Sequence, residues 1–279
     1  MAVTPDNRSM AVFCDFENVA LGVREAKYEK FDIGKVLERL LLKGSIVVKK
    51  AYCDWDRYKD FKAPMHGASF ELIEIPHVRQ SGKNSADIRM VVDALDLCYT
   101  KSHVDTFVIV SGDSDFSPLV SKLRENDKTV IGVGVKKSTS DLLVAACDEF
   151  IYYDDLVRGE KSRRPARRKA ARGAPAPGEG KGAPSTPGES RGEGDSDKAQ
   201  EAVDLVVETV EALVDERGED ETIWGSMVKQ TLKRRKPGFN ETFYGFRSFN
   251  QLLEEARSRH LLELERDEKS GGYIVKLTE

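Results

Sequence analysis

Histidine is scarce, with four in 279 residues, and His66, His77, His103 and His260 show none of the spacing that imidazole metal ligands share. Cysteine is as sparse: Cys14, Cys53, Cys98 and Cys147 contain no C-x-x-C pair. That argues against a zinc module or a disulfide framework and leaves reduced core thiols as the expectation. No segment approaches the roughly 18 uninterrupted apolar residues of a membrane span. The opening MAVTPDNRSM has no apolar signal core, so a soluble, cytoplasmic chain with no membrane partner is expected. A G-x-x-x-x-G-K-[ST] loop is missing, and GVGV at 132–135 lacks the third glycine of a dinucleotide fingerprint, which argues against nucleotide-driven chemistry. Charge of one sign is lacking too. Lys plus Arg (44) nearly balance Asp plus Glu (48), so any grip on a polyanion must come from local basic runs such as 161–172 and 229–236.

A hydrophobic content of 39% is enough for a sizeable core, and the length suggests two domains. The division is visible at 158–198, RGEKSRRPARRKAARGAPAPGEGKGAPSTPGESRGEGDSDK. This stretch has almost nothing to bury against its own ordering entropy and reads as a flexible linker. It separates an N-terminal domain, 9–157, from a C-terminal one, 199–279.

The N-terminal domain alternates two patterns. Short β-branched or aromatic runs, apolar on both faces, recur at 10–16, 45–53, 70–76, 105–111, 129–135 and 149–153. Helical spacing occupies 33–42, 85–100, 117–126 and 140–147. Repeated strand-helix units predict an α/β fold with an open parallel sheet covered on both sides.

Ligands of such sheets sit beyond the carboxyl ends of the strands. Asp15 ends the first apolar run in VFCDFENV, and Asp113 and Asp115 follow the fourth in IVSGDSDFSPLV. Asp87 opens a helix in NSADIRMVV, beside an apolar stripe of Ile88, Val91, Val92 and Leu95. Carboxylates gathered without His or Cys form a hard oxygen site suited to Mg²⁺ or Mn²⁺, which activates water and neutralises a phosphoryl group. Each Asp also has an ordinary reading as a helix N-cap or turn former.

VFCDFENV with its D-x-x-N spacing, NSADIRMVVDALD, FVIVSGDSDFSPLVSKLRENDKTVIGVGV and LLVAACDEFIYYDDL, in that order over residues 9–157, resemble the NYN domain of the PIN-like ribonuclease superfamily. The resemblance implies a PIN-like, Rossmann-like sheet and a Mg²⁺- or Mn²⁺-dependent endoribonuclease that uses water as nucleophile on single-stranded or structured RNA. It implies Asp15, Asp87 and Asp113 as metal ligands, with Asp115 as a further ligand or holder of a metal-bound water. Asn18 would orient phosphate or water, and Ser111 would support the carboxylates. Asp141, in KKSTSDLL, is a possible extra acid and equally a helix cap.

Haloacid-dehalogenase-type phosphatases also place an Asp after the first strand, and DFENV sets Glu17 two residues beyond Asp15. They need a second Asp there, so their pattern is half met. Arg79 and Lys83, in HVRQSGKNSAD, are candidates for gripping phosphates or ordinary loop charges. Trp55 and Tyr58 are expected to be half-buried packing residues rather than base platforms.

In the C-terminal domain, Val203, Val206, Val207, Val210 and Leu213 mark one helical stripe. Two further helices and a hairpin describe a winged helix. Trp224, Pro237 and GFNETFYGFRSFNQLLEEA resemble the OST-HTH, or LOTUS, domain, which implies RNA binding or docking of a protein partner, with Phe239, Tyr244, Phe246 and Phe249 as core. KQTLKRRK supplies Lys229, Lys233, Arg234, Arg235 and Lys236 as a basic helix end. The functional expectation is therefore a metal-dependent endoribonuclease with a tethered targeting module; the alternative is a non-catalytic RNA-binding or scaffolding regulator whose acidic site holds metal.

Overall fold

The computed structural model describes residues 8–75, 85–158, 193–218, 221–267 and 272–278. The chain divides into two compact units. The first runs β1 (Arg8–Asp15), α1 (Phe16–Glu25), α2 (Ile33–Lys43), β2 (Gly44–Cys53), α3 (Lys59–Gly67), β3 (Glu71–Glu74), α4 (Ser85–Thr100), β4 (Thr106–Val110), α5 (Ser117–Glu125), β5 (Thr129–Gly134), α6 (Asp141–Ala146), β6 (Glu149–Tyr152) and a last turn, α7 (153–158). All six strands are parallel, in the order β3-β2-β1-β4-β5-β6.

Successive side chains point to opposite faces, and both faces are covered, which is why Met10–Cys14 of β1 and Phe107–Val110 of β4 are apolar without a break. Met10, Val12 and Cys14 of β1, with Val108 and Val110 of β4, face one core, where Phe16, Val36, Leu40 and Met65 of α1, α2 and α3 meet them. Ala11 and Phe13, with Phe107 and Ile109, face the opposite core, packed by Met90, Leu119, Val120 and Leu143 of α4, α5 and α6. Phe13 stacks on Phe107 across the strand pair, ring centroids 6.0 Å apart. The result is a three-layer α/β/α unit, as the alternation predicts.

Besides the closing turn α7, two helices were not anticipated. α1 starts on the motif residues themselves, capped by Asp15, and α3 carries Pro64 inside it, a residue that reads against helix. Asp32 caps α2, its Oδ1 accepting from Gly34 N at 2.9 Å. Trp55 is 1% exposed rather than half-buried: it packs on Phe16 at 5.0 Å, and its Nε1 donates to the Ile73 carbonyl at 3.2 Å. Tyr58 is half-buried beside the same ring. Cys14, Cys53 and Cys98 are buried free thiols, and Cys147 is a partly exposed one.

The apolar stripe of α4 is turned from its expected orientation. Met90, Ala94 and Cys98 enter the core, whereas Ile88 and Val92 are 62% and 54% exposed. Both sets recur at helical spacing, so periodicity alone offers two faces, and tertiary packing chooses the one with smaller and more adaptable side chains.

The second unit consists of α8 (Glu193–Arg217), α9 (Gly225–Arg235), α10 (Phe249–Ser258) and the antiparallel hairpin β7 (Leu262–Arg266) and β8 (Tyr273–Leu277). Val203, Val206, Val210 and Leu213 of α8 pack with Leu232, Phe249, Leu252 and Val275. Ser248 caps α10 by accepting from Gln251 N at 3.2 Å. Trp224, half-buried, bridges to Ile274 beside the hairpin.

Candidate functional site

The sheet order reverses between β1 and β4, whose successors lie on opposite sides, and a crevice opens where these adjacent strands end. Asp15 closes β1 at that edge and Ser111 to Asp115 follow β4. Asp15 is only 7% exposed. Its Oδ1 accepts from Asn18 N at 3.3 Å, and its Oδ2 accepts from the fully buried Ser111 hydroxyl at 3.0 Å. The Ser111 Oγ in turn accepts from Asp113 N at 3.1 Å, so one hydroxyl ties the two strand ends together. Asn18 adds a second tie: its Oδ1 accepts from Gly112 N at 2.9 Å. Asp113 Oδ1 accepts from Asp115 N at 3.0 Å and caps the short helical turn Ser114–Phe116. The capping role anticipated for such Asp residues is real for Asp15 and Asp113, and it fixes the direction of both side chains beside the ends of β1 and β4.

Electrostatics join Asp87 to the group. Burial, the Asp87 charge and the Asp113 charge push Asp15 up to about 7, against the lowering effect of its bonds from Ser111 and Asn18. Asp87, half-buried in the first turn of α4, is also raised, first by desolvation and then by Asp113, Asp115 and Glu17. Carboxyls raised first by burial and then by one another's charge mark a site where the described residues leave negative charge unbalanced.

Among the described residues no three His, Cys, Asp or Glu side chains converge closely enough to hold an ion as they stand. The donor set nonetheless fits a hard divalent cation: four aspartates, no sulfur or imidazole, and mutual repulsion that a cation relieves.

Asp141 is exposed in the first turn of α6 behind its cap Ser140, and it is not among the charges that raise Asp15 or Asp87. Arg79 and Lys83 lie outside the described residues. In the second unit the basic end of α9 is partly self-neutralised. Lys229 pairs with Glu241 at 2.9 Å, Arg235 meets Glu208 at 3.4 Å, and Arg234 donates to Thr231 Oγ1 at 2.9 Å, while Lys233 and Lys236 are exposed.

No motif of the sequence marks Glu17 for a nuclease role, yet its charge reaches Asp87 and it pairs with Arg57 at 3.3 Å. Lys136 and Lys137, exposed on the turn after β5, are likewise outside those motifs. That segment packs over the site: Ser140 N donates to the Gly112 carbonyl at 2.9 Å, and a Cβ on Gly112 would lie 2.4 Å from the Ser138 carbonyl oxygen. The signal available was the K-K pair directly after an apolar run ending at the same sheet edge.

The order β3-β2-β1-β4-β5-β6, with Asp15 and Asp113 beside the ends of its two central strands, defines a parallel α/β domain of Rossmann-like order. The NYN domain family matches residues 9–154, over half of the chain, and the chain belongs to that family, which is one of PIN-like nucleases. Such nucleases typically use divalent metals. Uncharacterized protein MJ0482 of Methanocaldococcus jannaschii is 25% identical over 138 residues. The match takes in 50% of this chain and 54% of that protein, so the chain spans about half the length of the curated relative. A crystal structure of a protein of unknown function, VPA0982 from Vibrio parahaemolyticus, is similar at 28% identity and a TM-score of 0.48, covering 55% of this chain and 97% of that one.

Proposed function

We propose that the protein is a divalent-metal-dependent endoribonuclease that hydrolyses RNA phosphodiester bonds with water. The observation that carries this reading is the Ser111 bridge: a buried hydroxyl bonded to Asp15 of β1 and to the backbone of Asp113 after β4, holding two carboxylates at the switch point with Asp87 electrostatically coupled to both. Asp15, Asp87, Asp113 and Asp115 would hold Mg²⁺ or Mn²⁺, which when bound supplies an activated water and charge neutralisation at phosphate. The chain's own residues do the positioning. Ser111 locks the rotamer of Asp15; Asn18 commits its Oδ1 to Gly112 and presents its amide NH₂ to a phosphate oxygen. Exposed Asp115 at the lip accepts a hydrogen bond from water, and Lys136 and Lys137 offer point charges to the flanking backbone phosphates.

The second unit, three helices and a hairpin, is consistent with a winged helix of OST-HTH, or LOTUS, type that binds RNA or a protein partner. Lys233 on α9 and Lys236 just after it are exposed cations, and tethering would raise the local concentration of RNA at the acidic crevice. A phosphatase role is disfavoured because Glu17 stands where that pattern needs a second Asp and pairs with Arg57 at 3.3 Å, so only Val19, two residues on, fits it.

One observation favours a second reading, a non-catalytic RNA-binding regulator: the acidic side chains do not converge on a point as they stand. Cleavage of a 5′-labelled single-stranded RNA in Mn²⁺, in Mg²⁺ and in EDTA, by the full chain and by Asp113→Asn, separates the two. Metal-dependent cutting that the variant loses supports the nuclease. Binding without cutting under all three conditions moves the conclusion to the regulator.

A further inference from the structure

The crevice acids have a cation beside them on the β2 side. β2 lies next to β1 with Tyr52 opposite Asp15, so the turn after β2 leaves the sheet beside the acids. Aromatic packing seats that turn. Trp55 packs on Phe16 with ring centroids 5.0 Å apart, and Tyr58 meets the same ring at 5.5 Å. Phe16 itself stands between Asp15 and Glu17. Arg57, between the two aromatics of the turn, donates from Nη1 to Glu17 Oε1 at 3.3 Å. Its neighbour Asp56 pairs the other way, with Lys59 and Lys62 of α3 at 3.9 and 3.7 Å.

The Arg57–Glu17 pair is open to a competitor. Its side chains are 52% and 37% exposed, and among the described residues the pair engages one of the five guanidinium N–H donors. An ion pair this exposed adds little stability, so the guanidinium can leave it for a better acceptor. Phosphate is such an acceptor, because two of its oxygens match the planar fork. On the far side of the acids, the turn after β5 carries exposed Lys137 next to Ser138, whose carbonyl lies against Gly112. Lys136 stands further out, its Nζ 5.8 Å from the Tyr152 ring centroid of β6. In strand order the edge therefore reads Arg57, Asp15, Asp113 with Asp115, then Lys137. Strands about 4.8 Å apart set its two ends about 14 Å from each other, room for one phosphate at the acids and one on either side.

We propose that RNA crosses this edge from the β2 side to the β5 side, across the strand direction, with Arg57 gripping the phosphate on one side of the one held at the acids and Lys137 gripping a phosphate on the other. The inference rests on the nuclease reading and adds to it a substrate-binding residue and a direction for the strand. An acidic peptide meets repulsion from the carboxylates between the two cations. An RNA strand with a divalent cation at its middle phosphate is held by every group in the row.

The test uses the full chain in an Asp113→Asn background with Mg²⁺, where no cutting is expected, and reads fluorescence anisotropy of a short single-stranded RNA and of a set in which one phosphate at a time is an uncharged methylphosphonate. Wild type with Mg²⁺ marks the cleavage point on the same RNA. At one position on each side of that point the replacement weakens binding to the parent about tenfold, as loss of a charge-assisted hydrogen bond predicts. Arg57→Gln binds intact RNA about tenfold more weakly, reduces the slope of log affinity against log salt by about 0.7, and is indifferent to the replacement at one of these positions. Lys137→Gln is indifferent to the one across the cleavage point. Arg57 is exposed, so the fold is retained. Arg57→Lys keeps the charge, and with it the parent's salt slope and the loss at that position. Four results overturn the inference: Arg57→Gln binding as the parent does, losses that add at every position, both sensitive positions on one side, or Arg57→Lys as indifferent as Arg57→Gln. If wild type cuts RNA and Arg57→Gln matches the parent throughout, only the inferred path falls. If wild type does not cut RNA, both fall.

Discussion

Replacing Asp15 with Asn stabilises the metal-free protein while removing its activity. Asp15 is 7% exposed, and its carboxyl is raised from 3.8 to about 7, chiefly by burial and then by the charges of Asp87 and Asp113. Because the folded state holds the proton more tightly than the unfolded state, stability is greatest below 3.8, falls as pH rises between 3.8 and about 7, and stays low above that. The full deficit is about 4 kcal/mol. Asparagine carries no charge and keeps an oxygen for the Ser111 hydroxyl, but its NH₂ needs a partner, so a net gain of about 2 kcal/mol is expected, or about 4–8 °C in Tm for a domain of this size. Thermal melts in EDTA at pH 8 and pH 5 check it. The variant melts higher at pH 8, and the gap shrinks by pH 5 as wild-type Asp15 takes up its proton. Excess Mn²⁺ at pH 8 raises wild type and leaves Asp15→Asn nearly unmoved. A variant less stable than wild type at pH 8, or a gap independent of pH, refutes the argument.

Ser111→Ala deletes a fully buried hydroxyl with two partners and should cost about 1–3 kcal/mol in chemical denaturation while lowering turnover, because Asp15 loses its fixed rotamer. Gly112→Ala sets a Cβ against the Ser138 carbonyl and should cost about 1–3 kcal/mol and loosen the Asn18 bond, read as a lower denaturation midpoint and reduced cleavage. Ser117→Ala should raise stability by about 1 kcal/mol in the same denaturation assay, since the buried hydroxyl has no partner among the described residues. Deleting 199–279 should weaken RNA affinity in a filter-binding assay and leave residual cleavage.

The strands of the nuclease unit were legible because β1, β4 and β5 are buried on both faces and so carry unbroken apolar runs. The switch-point acids were legible for a related reason: a charged residue directly after such a run has few places to go except the sheet edge. What the sequence hid depends on packing. α4 offers two apolar faces, and nothing in the periodicity says that Met90, Ala94 and Cys98 go inward while Ile88 and Val92 stay out. Pro64 disguised α3, and α1 was read as motif rather than helix. The Ser111 bridge joins residues 96 positions apart, and the partial neutralisation of α9 by Glu241 and Glu208 likewise follows from tertiary proximity.

The central claim is hydrolysis by water at the acidic crevice, and the measurement that reaches it is cleavage of a defined RNA in ¹⁸O-labelled water with Mn²⁺, followed by mass spectrometry of the new ends. Attack by water on phosphorus with loss of the ribose oxygen leaves one ¹⁸O on the product's phosphate, and the account predicts that label, absent in EDTA and with Asp113→Asn. Unlabelled 2′,3′-cyclic phosphate ends would contradict it, since the ribose hydroxyl would then be the nucleophile.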